Sequence, residues 1–385
     1  MNEVILIGGS HHNGLGLVRS FGHFGIKPYG IIIGEKAEKS FVRKSKYWKK
    51  TFALNSEKDL VPFLNSYFVG EKEPPVLIPW SDGAALELDS NYYNLSKNFI
   101  LPSIKEKEGA IAKLQDKYEQ INLARKYGLP MAKSWIININ NEMGIPDDIV
   151  YPCIVKPVTS VEGNKLDITK ANNSEDLMYI LFNLKNKGYY RILCQEYIYF
   201  DYEFVFCGSC SSDSAFLISK NIRTWPIVGG THSFFKAIAD PQIEKVCMSI
   251  LKALQDEGFK GLFDIEMFCS GDKILVNEFN WRNTGNSFFS HGTGVHYAVI
   301  WYYSMIGRKD LASNINHCCK DSEQYAMNEA TDLRHVFFSG ISFIEWLKDY
   351  KKTQSFALWY RGDLKPTFIQ YMHLVKVLIC GKKIN

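Results

Sequence analysis

Two carboxylates and an amide stand where a hairpin would bring them together. Residues 261–268 and 273–279 are β-rich runs separated by Ser270-Gly271-Asp272, which predicts antiparallel strands joined by a tight turn. Glu266 lies near the end of the first run; Glu278 and Asn280 lie near the end of the second. Side chains two apart on a strand share a face, so Glu278 and Asn280 point together and Glu266 can lie across from them. Such oxygen donors suit a hard divalent cation, which usually shares its remaining coordination with phosphates. Arg282 follows two residues later and would offer its forked donors to a phosphate or carboxylate on that face.

Two other segments carry candidate chemistry. Tyr151-Pro152-Cys153-Ile154-Val155-Lys156-Pro157 ends an apolar strand on a lysine, which is unfavourable unless the ammonium reaches water or an anion. Cys194-Gln195-Glu196-Tyr197-Ile198 is an extended segment whose backbone could pair with an adenine edge, and Glu203 follows it. Asp82 either contacts substrate or caps the helix after it. His11 and His12 would point opposite ways on a strand, so a loop pair lining a cleft is expected. Cys207 and Cys210 form a lone C-x-x-C without the second pair that a zinc site needs.

These side chains need elements to hold them. Residues 4–7 form an apolar run ended by Gly8, Gly9 and Ser10; Leu15, Val18, Phe21 and Phe24 recur at helical spacing; residues 29–33 form a second apolar run. This is the strand–helix–strand start of a parallel sheet. Residues 76–79 add a strand with Ser81-Asp82-Gly83 at its carboxyl end, where open α/β sheets hold ligands. Gly9 and Gly14 have Walker spacing, but Leu15 and Gly16 replace its lysine and hydroxyl residue. Gly14-Leu15-Gly16 opens a dinucleotide fingerprint in which Arg19 replaces the third glycine, with Glu35 near the ribose-acid position. Tight helix–strand packing is the favoured role of these glycines, with NAD binding as the rival. A helix is predicted over 106–127, stopped by Gly128-Leu129-Pro130. Strands follow at 151–156, 191–198 and 202–207, with helices at 175–186 and 241–258.

The totals exclude several classes. A chain of 385 residues with 46% apolar content fits two or three packed domains. Its net charge of +4 is small for a nucleic-acid binder, and the one basic run, residues 43–50 with Tyr47 and Trp48 inside it, reads as a solvated face. Nine scattered cysteines, no basic leader ahead of MNEVILIGG and no apolar run of ~18–20 residues predict a reduced, cytoplasmic protein without a transmembrane segment. Residues 368–380 are apolar with His373 and Lys376 interspersed, followed by Lys382 and Lys383. This segment either packs on the core or touches anionic lipid from one side.

The order K-P, then Q-E-Y-I, then Glu266 and the E-x-N-x-R of Glu278 to Arg282 resembles the ATP-grasp superfamily of carboxylate–amine ligases. Its flavour is that of D-aspartate ligase-like and carbamoyl-phosphate synthase-like members. The resemblance covers roughly residues 1–305 and implies ATP with Mg²⁺ or Mn²⁺. Carried over by position, Lys156 and Lys117 resemble the two phosphate-side lysines; Gln195, Glu196 and Ile198 match the adenine segment; Glu203 matches the acid near the ribose. Glu266, Glu278 and Asn280 match the magnesium ligands, and Arg282 the arginine on the transferred phosphoryl group or acyl phosphate. Lys220, Arg223 and the loop Gly229-Gly230-Thr231-His232-Ser233 resemble a substrate-side element of envelope-type members, with Arg223 a catalytic candidate and Asp82 beside the substrate. The phosphate-covering loop, usually glycine-rich, reads Thr159-Ser160-Val161-Glu162-Gly163-Asn164-Lys165; Ser160 and Lys165 would supply donors instead.

The implied fold class is α/β and α+β. A Rossmann-like parallel-sheet domain (1–105) precedes a two-lobed ATP-grasp domain (106–310; lobes about 130–197 and 198–310). A mixed, largely helical extension (311–385) follows. The implied activity is amide formation through an acyl phosphate, with a small carboxylate and an amine as partners and a cell-envelope precursor as a substrate candidate. A phosphotransferase and a non-catalytic nucleotide-binding protein are the alternatives, and a homodimer is left open.

Overall fold

A computed structural model describes the chain except for residues 140–143, 159–166, 228–229 and 380–385. The first apolar runs become β1 (Val4–Gly9), β2 (Tyr29–Ile33), β3 (Lys50–Leu54) and β4 (Val76–Pro79), a parallel sheet in the order β3-β2-β1-β4. Parallel sheets bury both faces, and here the alternating residues serve two cores. Ile5, Ile7, Ile31 and Leu77 face helices α2 (Leu60–Tyr67) and α3 (Asp82–Asp89). Val4, Leu6, Ile32 and Ile78 join a second cluster with α1 (His12–His23).

The predicted helix over 106–127 is instead two helices. After the short α4 (Tyr92–Leu95) and β5 (Ser103–Ile104), α5 (Ala110–Leu114) stops and α6 (Lys117–Tyr127) starts afresh. Asp116 causes the restart: its carboxylate accepts the Tyr118 amide at 2.8 Å, a side-chain cap at a helix start. Gly128, with φ of 62°, ends α6 in the left-handed conformation.

A four-stranded antiparallel sheet, β6-β9-β7-β8, follows: β6 (Ser134–Asn138), β7 (Cys153–Pro157), β8 (Thr169–Ala171) and β9 (Arg191–Glu196), backed by α7 (Ser174–Asn186). The largest sheet is built on β10 (Tyr202–Cys210), β11 (Ala215–Trp225), β12 (Thr231–Ala237), β13 (Phe259–Ser270) and β14 (Lys273–Asn280). One face, through Phe204, Phe206, Ile218 and Ile265, packs on α8 (Pro241–Asp256), whose Asp240 cap and N1 proline fix its start. The other face, through Val205, Cys207, Leu217 and Phe235, shares the α1 cluster with α9 (Ser290–Thr293) and α10 (Tyr297–Met305) bordering it. One apolar core therefore joins the amino-terminal sheet to the largest sheet.

The last segment is not helical alone. Its α11 (Lys309–Ala312), α12 (Glu329–Asp332), α13 (Arg334–Phe338), α14 (Phe343–Lys352) and α15 (Leu364–Ile379) are interrupted by β15 (Tyr325–Met327) and β16 (Ser355–Phe356), which extend the largest sheet beyond β12. Arg19, at the fingerprint's third-glycine position, is buried against Asp363 at 3.2 Å and ties α1 to this segment. Gly16 makes a close approach: a Cβ there would lie 2.3 Å from Ser287 Oγ and 2.7 Å from the Phe288 nitrogen. These positions serve packing. Among the described residues, no helix is long and apolar enough to cross a membrane.

Candidate active site

β13 and β14 pair with Glu266 directly opposite Glu278, and Asp264 opposite Asn280. One extra residue, Asn277, bulges out between Glu278 and Val276, and its amide reaches Glu266 Oε2 at 3.4 Å. The bulge turns the end of β14 relative to its start. Glu266 is open to solvent in the cleft yet ringed by protein. Its carboxyl is pushed up, to about 7, first by displacement of water and then by the charges of Glu278 and Asp264. Solvent screens part of that rise; its direction follows from three carboxylates on one strand pair.

Two lysines converge on them. Lys117, in the first turn of α6, donates to Glu278 Oε1 at 3.0 Å. Its helix is docked by Gln120, which accepts the Phe279 amide at 3.0 Å and donates to the Phe279 carbonyl at 2.9 Å. Lys156, near the end of β7, is 8% exposed and donates to Gln195 Oε1 at 2.9 Å. Burial pulls its ammonium down to about 8, against the opposing pull of Glu278. A buried ammonium is retained here because carboxylates face it, and a phosphate would fill the same need.

Arg282 is held from two sides, by Asp82 at 3.1 Å and Asp264 at 3.0 Å. Asp82 starts α3 at the carboxyl end of β4, while Ser81, not Asp82, caps that helix. His11 caps α1 with its side chain partly open to solvent; its imidazole and that of His12 are held below the usual range, first by the protein packed around them, and the charge of Arg282 adds to this for His11. Asp264 carries no sequence signal that singles it out. It is 7% exposed, and its Oδ1 has no hydrogen-bond partner among the described residues.

The other expected residues divide. Glu203 lies on the Glu266 face of the sheet, with His232 Nε2 3.7 Å away and the Asn221 amide 3.4 Å away. Lys220, expected beside the substrate, points to the opposite face, 3.7 Å from the Tyr202 ring centroid. Strand alternation puts its neighbour Asn221 in the site in its stead. Arg223 is also outside the cluster: it pairs with Asp332 at 2.7 Å and with Asp349, under α12 and α14. Thr231 is exposed opposite Trp225.

Gln195 lies in a central strand paired with Ser134 on one side and Ile154 on the other, so its backbone has no free edge for a base. Its side chain braces Lys156. Glu196 ends the strand and Ile198 lies just past the paired residues, where an edge is available. Ser160, Lys165 and Gly229 lie outside the described residues.

Glu266, Glu278 and Asn280 fit a divalent cation by donor type, with Glu266 directly opposite Glu278 across the strand pair. Among the described residues no group of three His, Cys, Asp or Glu side chains is set to hold a metal alone. Two carboxylates and one amide would leave the rest of the shell to phosphate oxygens. A recess bordered by Asp82, Gln115, Glu278 and Asn280 opens beside them. A roomier hollow of about 550 Å³ lies elsewhere, between Gly292 and Gln324, away from every group in this cluster.

Residues 122–293 match the family model of the ATP-grasp domain, whose members use ATP with Mg²⁺ or Mn²⁺. The chain is similar to the formate-dependent phosphoribosylglycinamide formyltransferase of Methanocaldococcus jannaschii, 23% identical over 163 residues, or 41% of this chain and 42% of that one. The matches span about half the length of the curated relatives, 42% and 58% for the first two. Among solved structures, the ADP complex of an N5-carboxyaminoimidazole ribonucleotide synthetase shares the fold at TM-score 0.63 and 17% identity, covering 88% of this chain and 85% of that one. An L-amino acid ligase from Bacillus licheniformis does so at 0.60 and 12%, covering 79% and 74%.

Proposed function

We propose that this chain, whose residues 122–293 match the ATP-grasp domain, is an ADP-forming carboxylate–amine ligase. The observation that carries the reading is the convergence of Lys117 and Lys156 on the Glu266–Glu278 pair. In the reaction, a substrate carboxylate oxygen attacks the γ-phosphorus of ATP, ADP leaves, and an acyl phosphate forms. An amine then attacks the acyl carbon, the C–N bond forms, and inorganic phosphate departs with the C–O electron pair. A magnesium or manganese ion held by Glu266, Glu278 and Asn280 would neutralise charge on the terminal phosphates. Lys156 and Lys117 donate to phosphate oxygens, and their fixed charges are worth most in a site where water is scarce. Arg282, oriented by Asp82 and Asp264, faces the acyl phosphate. No side chain acts as a covalent nucleophile.

Names of the relatives bear on the substrate. They refer to formate, phosphoribosylglycinamide, carboxyaminoimidazole ribonucleotide and L-amino acids, which turns the reading from cell-envelope precursors toward a small acid and a small amine. The test is product analysis with pairs of small acids and amines. ADP and phosphate released only when both partners are present supports the ligase. AMP with pyrophosphate, or ADP without free phosphate, would overturn it.

A further inference from the structure

The packing of α15 joins two surface features that are separated by more than 300 residues of sequence. The helix lies directly against the turn Phe41–Lys44, the start of the basic run at 43–50. Its inner side is settled by buried Pro366 and Thr367 and by Tyr371, whose hydroxyl donates to Glu329 at 3.0 Å. Its outer side is not covered. Phe368, Met372 and Val375 stand 63%, 57% and 47% exposed. At about 100° per residue these three positions form one row along the helix. Exposed Lys365 and Lys376 form a second row beside it, with Ile369 between them and His373 beyond.

Charge on this edge has one sign. Residues 364–379 contain no aspartate or glutamate. Lys44 and Lys46 are exposed next to the helix, and among the described residues no ion pair is found for Lys44, Lys46, Lys365 or Lys376. Arg43 and Lys49, in contrast, are paired with Glu38 and Glu3.

We propose that this edge, the outer row of α15 with the basic turn beside it, docks on a bilayer surface carrying anionic headgroups. An apolar row flanked by lysines sinks its hydrocarbon into the headgroup boundary while the ammonium groups stay at the phosphates. A second copy of the same face would bring lysines against lysines. A nucleic acid would leave the Phe368–Met372–Val375 row in water. The contact is one-sided and reversible. It is independent of the ligase reading.

Co-sedimentation of the full chain with vesicles tests this. Vesicles of phosphatidylcholine with phosphatidylglycerol should pull down at least about tenfold more protein than phosphatidylcholine alone, given the attraction of about four lysines. High salt should remove most of the difference. The exposed-site pairs Lys365→Glu/Lys376→Glu and Phe368→Ser/Met372→Ser should each reduce binding to the phosphatidylcholine level with an unchanged melting temperature. Equal binding of the wild type to both vesicles overturns the proposal, and this arm needs no variant to fold. Undiminished binding by both variant pairs also overturns it. So does loss of a dimer in Phe368→Ser/Met372→Ser without vesicle binding by the wild type, or binding of a single-stranded oligonucleotide in place of vesicles.

Discussion

Lys117 Nζ lies 3.0 Å from Glu278 Oε1, across 161 residues of chain. The pair is sheltered, its side chains 11% and 22% exposed. It exists because Asp116 restarts the helix one residue earlier and Gln120 fastens that helix to the Phe279 backbone. Under the proposed function Glu278 would hold the cation and Lys117 the phosphate, so a nucleotide with its metal would draw this pair apart.

Glu278→Gln keeps the shape of this contact and removes its charge. Turnover should fall by roughly 10²–10³-fold, the scale of losing one fixed electrostatic group in a water-poor site. Lys156 stays hydrogen-bonded to Gln195 and the end of β9 keeps its place, so stabilisation of the protein by metal-free ATP should remain in a thermal melt. An ADP-release rate within threefold of wild type would remove Glu278 from the metal set.

Lys156 links the site to stability. Its folded value is near 8 against 10.5 in an unfolded chain. Between those values the unfolded state holds more protons, so stability should rise with pH across that window, and the penalty is full below pH 8. A displacement of that size corresponds to about 3 kcal/mol. Lys156→Met removes the penalty but leaves Gln195 Oε1 without its donor, which costs about 1 kcal/mol. The variant should therefore be about 2 kcal/mol more stable than wild type at pH 7, with the gap narrowing by pH 10, and inactive in ADP release. Urea titrations at the two pH values measure this; a variant less stable at pH 7 would refute it.

Parts of this site are legible in the sequence because strand periodicity is local. Glu266, Glu278 and Asn280 share a hairpin whose turn and alternation are written in adjacent residues. Lys220 shows the limit of such reading: a resemblance names a stretch, while the alternation of β11 decides that Asn221 and not Lys220 meets Glu203. The Asn277 bulge and the Asp264–Arg282–Asp82 clamp depend on pairings between distant segments, which no local pattern carries. The single helix expected over 106–127 fails for a different reason, since Asp116 fits a helix interior by composition and breaks it only by turning its carboxylate onto the Tyr118 amide.

Gly16 separates packing from cofactor binding in the amino-terminal sheet. Gly16→Ala sets a methyl group 2.7 Å from the Phe288 backbone nitrogen, which cannot rotate away. The expected loss is roughly 1–3 kcal/mol in urea denaturation, typical of overpacking. Ser287→Ala should relieve only part of it, because the backbone contact persists. NAD added to the wild type should leave its melting temperature unchanged; a rise with NAD would restore the dinucleotide reading.

Arg223 tests whether the segment after residue 310 supports the site or belongs to it. Its guanidinium spans Asp332 and Asp349, and the Asp332 side chain is 0% exposed. Arg223→Met would strand that carboxylate, and breaking a buried pair from one side costs about 3–5 kcal/mol. Arg223→Met with Asp332→Asn should recover much of the loss, since no charge is left at position 332 and Asp349 keeps its pair with Lys352. Because Arg223 lies under α12 and α14 while Lys156 and Glu278 meet elsewhere, turnover per folded molecule should stay within about twofold in the double variant. A drop of a hundredfold there, with the protein shown to be folded by its melting curve, would return Arg223 to the reacting groups and move the substrate site toward the carboxyl-terminal helices.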